Sequence, residues 1–284
     1  MVEGALLEPP SWRAVRPEEE GVNFASIEER IDREVDRFYR EASAVLGRAR
    51  DATIAKAVGV RGTEWAQMRE LTLVGEVAPY RALLRTYLND LYQFGRAGAG
   101  KELQQLAPVT SRAFQAWLET KTQNLVRLHT AVLESRAISS VLGAWEGERL
   151  SQEQATELLV PVFDAFSVLE LPQGAEVLAA QAIGAGRADV IEHFKNTIRS
   201  VTWSAILDRR VCEFCRHLDG TTWEWGDPEL LTPPLHPWCR CLLVPTLFSA
   251  TYKPAITGMP RDIVIPDSTR RFLVIAGNYR VSRS

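Results

Sequence analysis

All four cysteines of this 284-residue chain fall in two short stretches, "VCEFCRHLDG" (211–220) and "PPLHPWCRC" (233–241). The spacing is Cys212-x2-Cys215, then 23 intervening residues, then Cys239-x-Cys241, with His236 three positions before Cys239. Two close pairs joined by a loop suit a tetrahedral site, because each short turn presents two soft ligands about 2.3 Å from one Zn2+ ion. The expected ligands are Cys212, Cys215, Cys239 and Cys241. His236 is the alternate, able to replace one of the last two, since His-x2-Cys also has ligand spacing.

Four thiolates fill the coordination shell and leave no open position for an activated water, so a structural Zn2+ is expected rather than a catalytic one. A module of about 45 residues buries too little apolar area to hold itself together well, and a structural ion supplies folding free energy that the core lacks. Two blander readings stand beside this one. The thiols are free or form an occasional disulfide, or Cys212 and Cys215 make a thioredoxin-like redox pair, which lacks here the βαβ surroundings it needs.

Composition excludes several classes. The chain is 46% hydrophobic and 24% charged with a formal charge of −3, which fits a globular protein without the basic excess of a nucleic-acid or membrane-surface binder. No stretch approaches the roughly 18 consecutive apolar residues of a membrane span, and the N-terminus lacks the basic start and apolar core of a signal peptide. Synthesis and retention in a cytoplasm are expected, where thiols stay reduced and clustered cysteines serve metals.

The texture changes along the chain. After an extended N-terminal arm (1–25), apolar spacing is helical from 26 to 197: Ile27, Ile31, Val35, Phe38, Ala42 and Val45 recur every three or four positions, and Ser26 with Glu29 reads as a capping box. Pro79 sits at a helix start that "GRAGAG" (95–100) should end. A long helix is expected over 111–142, and another begins at the capping box Ser151 and Gln154. "LPQG" (171–174) should end that one before a last helix over 175–196.

Beyond 198 the apolar runs shorten to four to eight residues between proline- and glycine-rich turns. These are "SVTWSAIL" (200–207), "TTWEW" (221–225), "CLLVPTLF" (241–248), "DIVIP" (262–266) and "RRFLVIAG" (270–277). The expected fold class is α+β: a mainly α-helical first two-thirds, then a small zinc-stabilised β module (198–245) and a short β-rich C-terminal tail (246–284).

The cysteine region resembles a known family. Asp208, Cys212, Cys215, Leu218-Asp219-Gly220, Asp227-Pro228, Pro233-Pro234, His236-Pro237, Cys239-Arg240-Cys241 and Val244-Pro245 together look like the C-terminal signature of tailed-phage minor head proteins. That head-morphogenesis family includes the F protein of phage Mu, and its members also carry a long helical region upstream. One departure stands out: relatives often have an Arg-Thr-Glu box ahead of the first cysteine, and "VLAAQAIGAGR" (177–187) lacks it, although Gly184, Gly186 and Arg187 could keep a related turn.

The resemblance implies a structural virion protein, made in a host bacterial cytoplasm and placed inside the head at the portal vertex. Its expected partners are the portal protein and other head proteins, and its expected role is in head assembly and in DNA packaging or ejection. Some relatives are fused to ADP-ribosyltransferase domains, for which the 39 residues after Pro245 leave no room, so no enzymatic activity is expected. The alternatives from other classes are a zinc-ribbon-like nucleic-acid-binding regulator and a metal-dependent hydrolase.

Other residues are weighed in that frame. Trp203, Trp223, Trp225 and Trp238 either stack nucleobases or build a core around the ion, and the core is favoured. Residues 201–245 hold four Arg and no Lys against six Asp and Glu, which advertises no phosphate-binding face. In the tail, Lys253, Arg261, Arg270, Arg271, Arg280 and Arg283 face only Asp262 and Asp267, and these cations are candidates for contact with packaged DNA or an acidic portal surface. Asp208 is expected to orient the metal loop from outside the ligand set, His129 and His193 are ordinary histidines, and His217, close to the first cysteine pair but beside a turn, is a minor ligand candidate.

Overall fold

Apolar residues recurring every three or four positions wind the chain into helix as far as His193. The computed structural model describes residues 24–65, 71–73, 75–104, 110–144, 149–205, 211–236, 239–250, 254–260 and 266. The helices are α1 (Phe24–Ala57), the single turn α2 (Gly62–Trp65), α3 (Val77–Glu102), α4 (Arg112–Ala144), α5 (Gln152–Ala165) and α6 (Leu171–His193). Strand β1 (Ile198–Ser204), helix α7 (Glu213–Leu218) and strands β2 (Thr222–Trp223) and β3 (Leu242–Leu247) follow. The expected α+β class, helices first and a small sheet after, is what the chain adopts. The expected strand at 270–277, all but residue 266 of the one at 262–266, most of the tail and residues 1–23 of the arm lie outside the described residues, and the last two positions of the arm belong to α1.

Several helix boundaries differ from expectation. α1 begins at Phe24, so Ser26 lies inside its first turn instead of capping it. Ser151 does cap α5: its hydroxyl accepts from the Gln154 amide and the Gln154 side chain accepts from the Ser151 amide. Replacing Ser151 with alanine removes the hydroxyl acceptor and leaves the Gln154 amide without it at an exposed helix start, and the urea midpoint is expected to fall by an amount equivalent to about 1 kcal/mol.

"GRAGAG" does not stop α3, which runs through it to Glu102. Glycine is a poor helix former, but here it lets two backbones touch. A Cβ on Gly95 would lie 2.2 Å from the Ile183 carbonyl oxygen, and one on Gly186 would lie 2.1 Å from that of Tyr92. Gly184, Gly186 and Arg187 therefore sit within α6 and form no turn.

"LPQG" likewise fails to break the chain. A π-helical turn, Phe166–Glu170, joins α5 to α6, and the Leu171 amide reaches back to the Phe166 carbonyl. Widening the helix immediately before Pro172 relieves the clash a proline ring makes with the preceding turn. The resulting run Gln152–His193 is long and apolar enough to cross a membrane by length and composition. Part of its apolar content serves the core, since Ala179, Ala182, Ile183, Ala188, Val190 and Ile191 are all buried, while Val168 and Leu169 are exposed.

The described chain divides into two compact units, to both of which α1, α3, α4 and α6 contribute. One consists of Asp32–Asp90 and Gln115–Leu178. Its core gathers Ile54, Ala57, Trp65, Leu71, Ala137, Val141, Leu150, Ala155 and Leu159. His129 belongs here, with Nδ1 2.7 Å from the Tyr80 hydroxyl and its ring edge-on to Phe166. Burial pulls the imidazole down from 6.5 to about 4. Because the folded value lies below the unfolded one, stability is complete above pH 6.5 and declines as pH falls toward 4. A loss of about 3 kcal/mol across that window is expected in chemical denaturation, and His129→Gln should flatten it.

The other unit gathers the described parts of Met1–Ile31, Leu91–Phe114 and Ala179–Ser284. Its sheet has the order β2-β1-β3, antiparallel throughout, with Val201 opposite Trp223 and Thr202 opposite Val244. The β module shares its core with helices: Ala99 and Leu103 of α3 and Val190 and Ile191 of α6 pack with Val201, Trp203, Trp223, Cys215, Cys239 and Leu243. It is thus not left to stand on a 45-residue core alone, as the argument from size assumed.

Both sheet edges are closed by the chain itself. Thr257 and Gly258 donate their amides to the Thr222 carbonyl along β2. On β3, the Arg187 guanidinium donates to the Leu243 carbonyl at 2.9 Å, and Pro245 has no amide to offer. Arg187 is itself held by a bidentate pair with Glu102, at 2.7 and 2.5 Å.

Candidate metal centre

Two turns bring the donor side chains together. Cys212 has extended backbone and takes the place of a capping residue for α7, its sulfur accepting from the Cys215 amide at 3.3 Å. Cys215, one helical turn on, faces inward and is 1% exposed. After α7 the Leu218-Asp219-Gly220 turn locks onto β1: the Asp219 carboxylate accepts from the Ala205 amide, and Gly220, at φ +85°, donates to the Trp203 carbonyl. The second turn starts at His236, whose carbonyl accepts from the Cys239 amide, and it ends at Cys241 beside β3.

Nε2 of His236 lies 3.1 Å from the Cys212 sulfur and 3.0 Å from that of Cys215, and the sulfurs of Cys215 and Cys239 are 3.9 Å apart. Two overlapping groups result, Cys212 with Cys215 and His236, and Cys215 with Cys239 and Cys241, each spanning no more than 4.8 Å. Ligands about 2.3 Å from one tetrahedral ion lie about 3.8 Å from one another, so the sulfur spacing fits such an ion and the imidazole sits slightly closer. The four cysteines are free thiols.

Electrostatics favours a shared cation. Burial opposes ionisation of Cys239, yet hydrogen bonds from the Cys215 and Cys241 thiols and from His236 outweigh it and hold its pKa well below the ordinary thiol value. Cys215 is pushed up, first by its hydrogen bonds with Cys239 and Cys241 and then by burial. One thiolate can be satisfied by neighbouring thiols, but further ionisation in this buried space requires a positive ion. Soft sulfur and imidazole donors in this arrangement could hold a metal.

All five donors named from the sequence are brought together. His217 is exposed and lies in neither group. Trp203 and Trp223 are fully buried, and Trp225 donates its indole N–H to Glu192 at 2.6 Å. Asp208, Trp238 and the cations Lys253, Arg261, Arg270, Arg271, Arg280 and Arg283 lie outside the described residues. Arg240, between Cys239 and Cys241, stands in the sequence only as part of the family signature, with no role of its own; it donates to Glu28 of α1 at 2.8 Å. Nothing local in the sequence signals a pair so far apart.

Comparison with known families adds one finding. Residues 168–244 match the family described as Phage Mu protein F like protein. The matched interval begins in the π-helical turn, ends in β3 and contains all five donors, and it bears out the resemblance to phage Mu F-like head proteins read from the sequence. Neither the comparison with curated proteins nor that with solved structures gave a match.

Proposed function

We propose that this chain is a structural minor head protein of a tailed phage, carried in the virion at the portal vertex, whose C-terminal part is held in shape by one Zn2+ ion. The observation that carries this reading is the coincidence of the Phage Mu protein F like match with the five-donor cluster inside it. Four of Cys212, Cys215, His236, Cys239 and Cys241 would hold the ion, and the short distances from His236 to Cys212 and Cys215 support the imidazole as one of the four. Zn2+ in such a site supplies a crosslink between the two turns and no reaction. Four side-chain ligands leave no place for water, which supports a non-enzymatic role.

The regulator alternative loses support, because two of the four tryptophans considered for stacking on bases, Trp203 and Trp223, are fully buried in the core. Portal association and a part in DNA packaging or ejection follow from the family resemblance. Co-expression with the portal protein of the same phage, followed by affinity capture, tests this: capture at a fixed stoichiometry is expected. A chain that never co-purifies with portal or with assembled heads would overturn it.

A further inference from the structure

We propose that the Cys239-Arg240-Cys241 turn is a metal-dependent clamp on the first two turns of α1, an inference that rests on the metal site proposed above. Arg240 donates through Nη1 to Oε1 of Glu28 at 2.8 Å, across 212 positions of sequence. The contact is sheltered, the Arg240 side chain being 13% exposed and that of Glu28 33%. Glu28 lies in the part of α1 that belongs with the β module, and the neighbouring Arg30 guanidinium sits 5.6 Å above the Phe94 ring of α3.

The device lies in the position of Arg240. Its flanking residues are both candidate ligands, and they are 2% and 7% exposed. With Cys239 and Cys241 fixed by the donor cluster, the backbone on either side of Arg240 cannot rotate, and the guanidinium is aimed at Glu28. Once the cluster is released, the turn that carries Arg240 is no longer pinned on both sides, and the arginine must give up backbone and rotamer entropy to reach the same carboxylate. The start of α1 therefore reports whether the ion is bound, although it lies far away in sequence.

Hydrogen exchange read by mass spectrometry on the full chain tests this, in Zn2+-loaded protein, in protein stripped by chelator, and in Arg240→Gln with its zinc content measured. Exchange in peptides covering Phe24–Ile31 is expected to rise about tenfold on stripping and equally in Arg240→Gln that keeps its zinc. The double variant Glu28→Arg with Arg240→Glu should restore protection. Equal exchange in loaded, stripped and Arg240→Gln protein overturns the clamp while leaving the metal site standing. A chain that takes up no zinc overturns the metal site and the metal dependence of the clamp together, and the Arg240→Gln arm then decides whether the contact alone orders α1.

Discussion

Replacing Cys215 with serine is expected to abolish stoichiometric metal binding and to melt the unit built from α6 and the β module on the order of 10 °C earlier. The effect is large because Cys215 belongs to both donor groups and is buried beneath them. Its loss leaves neither group with three donors. Structural zinc in small domains carries apparent binding free energies of roughly 10–16 kcal/mol, of which several should appear here, since the helical part of the core persists without the ion. Cys212→Ser removes a partly exposed donor from one group only and should cost less. Zinc content by elemental analysis and near-ultraviolet circular dichroism of Trp203 and Trp223 read the two consequences separately. Full zinc retention in Cys215→Ser would contradict the assignment.

The second large effect is expected at a glycine far from any ligand. Gly186→Ala places a Cβ 2.1 Å from the Tyr92 carbonyl oxygen and 3.0 Å from the Arg96 amide nitrogen, both backbone atoms of α3. Backbone cannot swing aside as a flexible side chain can, so the helices must separate. Separation breaks the 2.6 Å bond from the Tyr92 hydroxyl to buried Asp189 and disturbs the Arg187 pair with Glu102. A loss of about 3 kcal/mol or more is expected in urea denaturation. Gly98→Ala is the control. Its Cβ meets only Arg187 Nη1 at 3.5 Å, ordinary contact, and the better helix propensity of alanine should make it neutral or stabilising. Equal effects of the two substitutions would refute the close crossing.

Sequence reasoning succeeded where the cause is local. Ser151 and Gln154 are three residues apart, and each supplies what the other's backbone lacks. The short apolar runs at 200–207 and 241–248 lie over β1 and β3, and the cysteine spacing pointed to a donor cluster that folding does assemble. It failed where the cause is distant. "GRAGAG" reads as a helix stop because glycine disfavours helix, and only the approach of Ile183 reveals that the missing side chains are what α3 needs there. "LPQG" reads as a break because a proline interrupts regular α-helix, whereas a π-helical turn carries the chain past it. Ser26 has the residue type of a cap but lies within a helix that starts earlier. Arg187 was read as part of a turn, yet it binds Glu102 and the edge of β3, partners fixed only by the packing of α3, α6 and the sheet.

The central claim is that two sequence-distant turns converge on one ion. Elemental analysis of the full chain, purified without chelator and quantified against protein concentration, tests it most directly. One zinc per chain, lost when Cys215 is replaced, is the expected result. A chain that is folded and soluble with no stoichiometric metal would contradict it.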